Sequence, residues 1–123
     1  MQATKPEQAI ELFSECLNRG DLNGAMELYA PDASFAPEPG RQVTGESAIR
    51  GALEGFFALD PTIEGEIQSV LHTGELALVH NRWRLRGRQP GGDEVSMEGL
   101  SADVVRRDEV GAWRIVIDNP WGG

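Results

Sequence analysis

The 123-residue chain has one cysteine, one tyrosine, two histidines, and 11 basic residues against 20 acidic ones. Each shortage closes off a class of function. The single thiol, Cys16, permits neither a disulfide framework nor a thiolate metal site within one chain, and it reads as an ordinary buried thiol on a helix. A net charge of −9 leaves no basic patch for phosphate, so nucleic acid is not an expected partner. No lysine cluster could hold an anionic membrane, and no apolar run approaches the roughly 20 residues of a membrane span. His72 reads as a turn residue and His80 as an outward or interface residue. Neither belongs to a metal-binding pair and no loop has calcium spacing, so no metal is expected. No Walker pattern or dinucleotide fingerprint is present, and no cofactor is expected; Gly87, Gly91 and Gly92 read as a hairpin. The opening MQATKPEQAI lacks a basic segment followed by an apolar run, which predicts a cytoplasmic protein.

What is present is a single domain's worth of alternating patterns, assigned to 1–123. Ala9, Ile10, Phe13 and Leu17 recur at helical spacing, with Thr4 and Glu7 as a capping box around Pro6. A short second helix carries Leu22, Ala25, Met26 and Tyr29 on one face and stops at Pro31. A third runs from about Glu46 to Leu59, with Ile49, Ala52, Leu53, Phe56 and Phe57 apolar. The second half then changes period. TIEGEIQSVLH, ELALVHNRWRLRGR, DEVSMEGLSADVVRR and AWRIVIDNP read as four long strands joined by tight turns, and ASFAP as a short extra strand. Helices followed by a meander predict an α+β domain, a curved sheet wrapped over helices.

Strand alternation places polar groups among core positions. In the second long strand the inward phase is Ala77, Val79, Asn81, Trp83 and Leu85, with Arg82, Arg84 and Arg86 outside. In the third it is Val95, Met97, Gly99, Ser101, Asp103 and Val105. If DEVG is a four-residue loop, Arg107 pairs with Ala112, Val116 stands opposite Asp103, and Asp118 opposite Ser101. Asp118 then lies diagonal to Asp103 on one face, although a loop one residue longer would exchange Asp118 for Asn119. Two carboxyls on a partly apolar wall would both be harder to ionise, and one held neutral could donate a proton to a substrate. Both acids could equally be satisfied by backbone or arginine at the sheet rim. Trp83 faces Gly99 or Ser101, as a ligand wall or as a core tryptophan over a glycine. Trp113 is expected on the other face of the sheet. Trp121 closes the pocket mouth or buries in a dimer seam.

LNRGDLNGAMELYAPDASF, TGESAIRGAL and SADVVRRDEVGAWRIVIDN resemble the nuclear-transport-factor-two-like superfamily, within it the ketosteroid-isomerase-like and polyketide-cyclase-like (SnoaL-like) small proteins. The resemblance runs from about Glu7 to Trp121. It implies a cone-shaped, strongly curved, mostly antiparallel sheet closed by three N-terminal helices, a pocket at the open end, and a homodimer. Carried over residue by residue, the isomerase's oxyanion-hole aspartic acid matches Asp103. Its tyrosine position holds Phe13 and its general-base position holds Pro37, so steroid isomerisation is not implied. Tyr29 either packs in the helix layer with its hydroxyl satisfied or replaces the hydroxyl lost at Phe13.

These readings converge on a pocket for a small hydrophobic organic ligand. Its wall would be Phe13, Tyr29, Phe56, Trp83 and Trp121, and its polar end Asn81, Ser101, Asp103 and Asp118. The chemistry implied is cofactor-free isomerisation, cyclisation or dehydration of a carbonyl compound, with Asp103 as acid or oxyanion donor, Asp118 as base and Asn81 orienting the substrate. The alternative is a ligand-binding or dimerisation module without turnover.

Overall fold

A computed structural model describes residues 2–122. The described residues form three helices: α1 (Pro6–Arg19), α2 (Leu22–Glu27) and α3 (Glu46–Phe57). Strands β1 (Tyr29–Glu38) and β2 (Arg41–Thr44) lie between α2 and α3, and β3 (Thr62–Thr73), β4 (Leu76–Arg88), β5 (Glu94–Arg107) and β6 (Trp113–Asp118) follow. All six strands form one curved sheet in the order β2-β1-β6-β5-β4-β3, antiparallel except where β1 runs parallel to β6. The α+β cone expected from the sequence is the fold observed.

Local chemistry explains the element ends. Pro6 opens α1, where its missing N–H costs nothing. Gly20 closes it in the left-handed region (φ 70°), its N–H bonding the Cys16 and Leu17 carbonyls. The cap differs from the one expected: Thr4 N–H and Oγ1–H both donate to Gln8 Oε1, at 2.8 and 2.9 Å, and Glu7 takes no part. Tyr29 is not helical either. α2 ends at Glu27, and Tyr29 opens a ten-residue β1, twice the length of the short strand predicted. Pro31, read as a helix stop, sits in the irregular stretch of β1 between Tyr29 and Ser34, where no ladder bond needs its missing N–H. β2 was not anticipated.

The long-strand registers put the alternation on firm ground. Asn81 pairs with Ser101, Val79 with Asp103 and Trp83 with Gly99, and Ala77, Val79, Asn81, Trp83 and Leu85 are all buried. The last hairpin departs from the count. Arg107 pairs with Trp113, not Ala112, so the loop is one residue longer than supposed. That alone would turn Asp118 outward. A β-bulge between Val104 and Val105 then shifts the register from Val105–Ile115 to Val104–Ile117. Ile115 is fully buried, Ile117 is exposed, and Asp118 returns to the inside, 8% exposed. One step along this register Asp118 faces Asp103 rather than Ser101. Trp113 shares the inner face with Ile115 and belongs to the main core, edge-on to His72 at 5.2 Å, contrary to its expected outward packing.

A second cluster closes the wide end, with Leu17, Leu59, Trp83 and Leu85 packed by Phe13, Ile63 and Trp121. It depends on a close approach at Gly87. A methyl there would stand 2.7 Å from the Leu59 carbonyl oxygen, which accepts the Arg88 N–H at 2.8 Å. Any larger residue would push the α3–β3 connection off the sheet.

Candidate functional site

Between α1, α3 and the concave face of the sheet lies a cavity of about 80 Å³. Its apolar wall includes Ile10, Phe13, Leu17, Leu53 and Phe56 from the helices, and Trp83 and Leu85 from β4. Four buried polar side chains face the strands' inner side: Asn81, Ser101, Asp103 and Asp118. All four line the cavity.

The two acids are held differently. Asp103 Oδ1 accepts the Asn119 backbone N–H at 2.9 Å, and its Oδ2 accepts the Ser101 hydroxyl at 2.9 Å. Asp118 has one protein donor, the Tyr29 hydroxyl, on Oδ2. Burial pushes the Asp103 carboxyl up from 3.8 to about 6, against the Asn119 N–H, the Ser101 hydroxyl and the Asp118 side chain, which pull it down. Asp118 rises well above the usual carboxylate range, first through burial and then through the charge of Asp103, with Tyr29 opposing. Tyr29 is itself driven up, by burial first and Asp118 second, so it stays a neutral donor. The dissociable proton of the pair therefore rests on Asp118, while Asp103 is the more readily ionised.

The chain's end forms the mouth. Asn119 C=O accepts the Ala102 N–H at 2.9 Å, and Trp83 Nε1–H donates to the Pro120 carbonyl at 2.8 Å. Trp121 then lies edge-on to Trp83, ring centres 5.1 Å apart, with its own Nε1–H buried and unpartnered. Asp118 is thus part of the floor of a pocket and Pro120 and Trp121 its rim, with Asn119 supporting Asp103 through its backbone N–H. Gly99 makes room for this, since a methyl there would meet Trp83 Cζ2 at 3.0 Å and the Pro120 oxygen at 3.1 Å.

Of the residues singled out from sequence, Phe13, Phe56, Asn81, Trp83, Ser101, Asp103, Asp118 and Trp121 line the cavity. Tyr29 does not. It stands behind Asp118, its ring edge-on to Phe13 at 5.9 Å, and reaches the site only through its hydroxyl. Pro37 is buried in β1 and Glu38 is exposed, so neither supplies an acid to the cavity. Sequence reasoning missed Ser14, one helical turn beyond Ile10 on the same face of α1, a spacing that could have revealed it. It also missed the Asn119 backbone donor, for which side-chain identity carries no signal.

A curved sheet closed by helices around such a pocket defines the nuclear-transport-factor-two-like class of proteins. Within it, the SnoaL-like domain matches residues 10–114, and the chain belongs to that family. Solved structures agree on the fold. A ketosteroid isomerase-like protein from Erwinia carotovora atroseptica has a TM-score of 0.79 at 19% identity, covering 92% of this chain and 89% of its own. A protein from Novosphingobium aromaticivorans, described provisionally as a scytalone dehydratase, gives 0.80 at 18% identity over 91% and 77%. A nuclear transport factor 2-like superfamily protein from Salmonella enterica gives 0.79 at 17% over 94% and 88%. No curated protein matches the chain.

Proposed function

We propose that this protein is a cofactor-independent acid–base enzyme that dehydrates, isomerises or cyclises a small carbonyl compound. The observation that carries the reading is the pair of buried carboxyls on the cavity wall, Asp118 high and Asp103 near 6. This reverses the roles first assigned from sequence. The Asp118 proton is shared with the neighbouring Asp103 carboxyl, and a substrate oxygen in the cavity can take Asp103's place as its acceptor. Asp103 is the base. In a dehydration, Asp103 takes the proton from the carbon beside the carbonyl while Asp118 protonates the departing hydroxyl. The carbon–oxygen bond breaks, an enone and water leave, and the proton returns from Asp103 to Asp118. In an isomerisation Asp118 holds the enolate oxygen by its hydrogen bond and Asp103 returns the proton to a different carbon.

The test is a panel of β-hydroxyketones, including diacetone alcohol, followed by enone absorbance and by NMR of solvent deuterium entering the carbon beside the carbonyl. Turnover that needs no added metal or nucleotide is expected. Saturable binding by the panel without elimination or exchange would sink the enzymatic reading. A specific observation supports that second reading, a ligand-binding module without turnover: both Asp103 oxygens already serve protein donors, which also suits a purely structural clip.

We also read the protein as a cytoplasmic homodimer. The free, buried Cys16 suits a reducing compartment. For the dimer, Leu71, Leu78, Val104 and Ile117 are cross-strand partners in one row over the outer face of β3, β4, β5 and β6, with Leu71 64% and Ile117 45% exposed. Val104→Arg at the centre of the row should convert the dimer to monomer in light scattering. A wild-type chain that is monomeric at micromolar concentration removes this reading.

A further inference from the structure

Buried polar side chains in folded proteins almost always have a partner. Three of the four here do: Ser101 donates to Asp103, Asp103 also takes the Asn119 N–H, and Asp118 takes the Tyr29 hydroxyl. Asn81 is the exception. The residue is only 5% exposed and its carboxamide makes no hydrogen bond among the described residues, while its amide atoms are open to the cavity and to the adjoining opening lined by Ser14 and Gly65. The fold nevertheless makes room for it. A methyl on Gly65, across the β3–β4 ladder, would stand 3.0 Å from Asn81 Oδ1 and 3.2 Å from Nδ2.

A carboxamide presents an acceptor and two donors together, so its natural partner is a group offering both. An ammonium ligand leaves the amide donors unmet, and a carboxylate ligand would face Asp103 and Asp118. A neutral molecule with a carbonyl and a hydroxyl satisfies all of these groups. Asn81 stands opposite Ser101 and so diagonal to Asp103 on the same face, roughly 7–8 Å away between backbones, so one small molecule lying over that face can reach both. Size points the same way. The cavity is small, about 80 Å³, and Trp83 and Trp121 close its rim.

We infer that the ligand is a compact, neutral hydroxyketone, and that Asn81 sets this specificity by hydrogen-bonding it. The inference rests on the proposed carbonyl chemistry but is read by binding alone. The probe is diacetone alcohol, titrated against the full chain by calorimetry beside cyclohexane, cyclohexylamine and androstenedione. Wild type should prefer diacetone alcohol to all three. Asn81→Leu should weaken it at least tenfold while cyclohexane binds as well or better. Gly65→Ala, which displaces the carboxamide without removing it, should give the same selective loss and guards against misfolding of the first variant. The inference is overturned by unchanged affinity in both variants, by a wild-type preference for any of the other three probes, or by no saturable binding of diacetone alcohol. Diacetone alcohol that binds through Asn81 yet is never turned over would leave this specificity standing and refute the enzyme reading alone.

Discussion

Asp118→Asn should lower turnover by about 10²–10⁴-fold while leaving substrate affinity within a few-fold of wild type. The substitution is nearly isosteric. Its side-chain oxygen can still accept the Tyr29 hydroxyl, and its amide can donate to Asp103, so the local packing survives. What disappears is the more firmly held of the two raised carboxyl protons in the cavity. The same change should stabilise the fold at neutral pH by about 1–2 kcal/mol, because it removes a buried acid whose ionisation both burial and Asp103 oppose. Loss of activity with a gain in stability marks a group kept for chemistry. Stopped turnover accompanied by a lowered denaturation midpoint would instead mark Asp118 as structural. Steady-state kinetics and urea melts on one preparation separate these outcomes.

The sequence carried the fold further than it carried the site. Long strands announce themselves through period and turn residues, and β3, β4 and β5 fall within a residue or two of the patterns read from TIEGEIQSVLH, ELALVHNRWRLRGR and DEVSMEGLSADVVRR. The inward phase of β4 and β5 follows from alternation alone. Asp118 is a different case. Its inward orientation was anticipated through two one-residue errors that cancel: a loop longer than counted, then a bulge at Val104 and Val105 that no propensity announces. Had only the loop been corrected, Asn119 would have been placed inside. Tyr29 was assigned to a helix because Leu22, Ala25, Met26 and Tyr29 are helically spaced, yet pairing with Ile115 in β6 outweighs that local preference. Its hydroxyl meets Asp118 across 89 positions of sequence, a contact only the tertiary fold creates.

Stability and activity should run in opposite directions with pH, and for the same group. The folded chain keeps the Asp103 proton up to about 6, whereas the ordinary value is 3.8. Between those values the folded state binds more protons than the unfolded one, so raising the pH favours unfolding. The stabilisation is complete below about 3.8 and is lost as pH climbs through about 6, a difference of about 3 kcal/mol. Asp118, held higher still, extends the same slope to higher pH. Asp32, Glu75 and Asp108 act with the opposite sign, since Arg106, Arg107 and Arg114 lower their carboxyls and that support fades only as pH falls through the acid range. The urea midpoint should therefore peak in mild acid and decline from roughly pH 5 to pH 8. Asp103→Asn should flatten the lower part of that decline. Catalysis by an ionised Asp103 requires the reverse, and kcat/KM should rise through about pH 6 as the fold weakens. A urea midpoint that rises from pH 5 to pH 8 would mean that the Asp103 carboxyl is already ionised at low pH, held by Ser101 and Asn119, and has no proton-accepting role near neutrality.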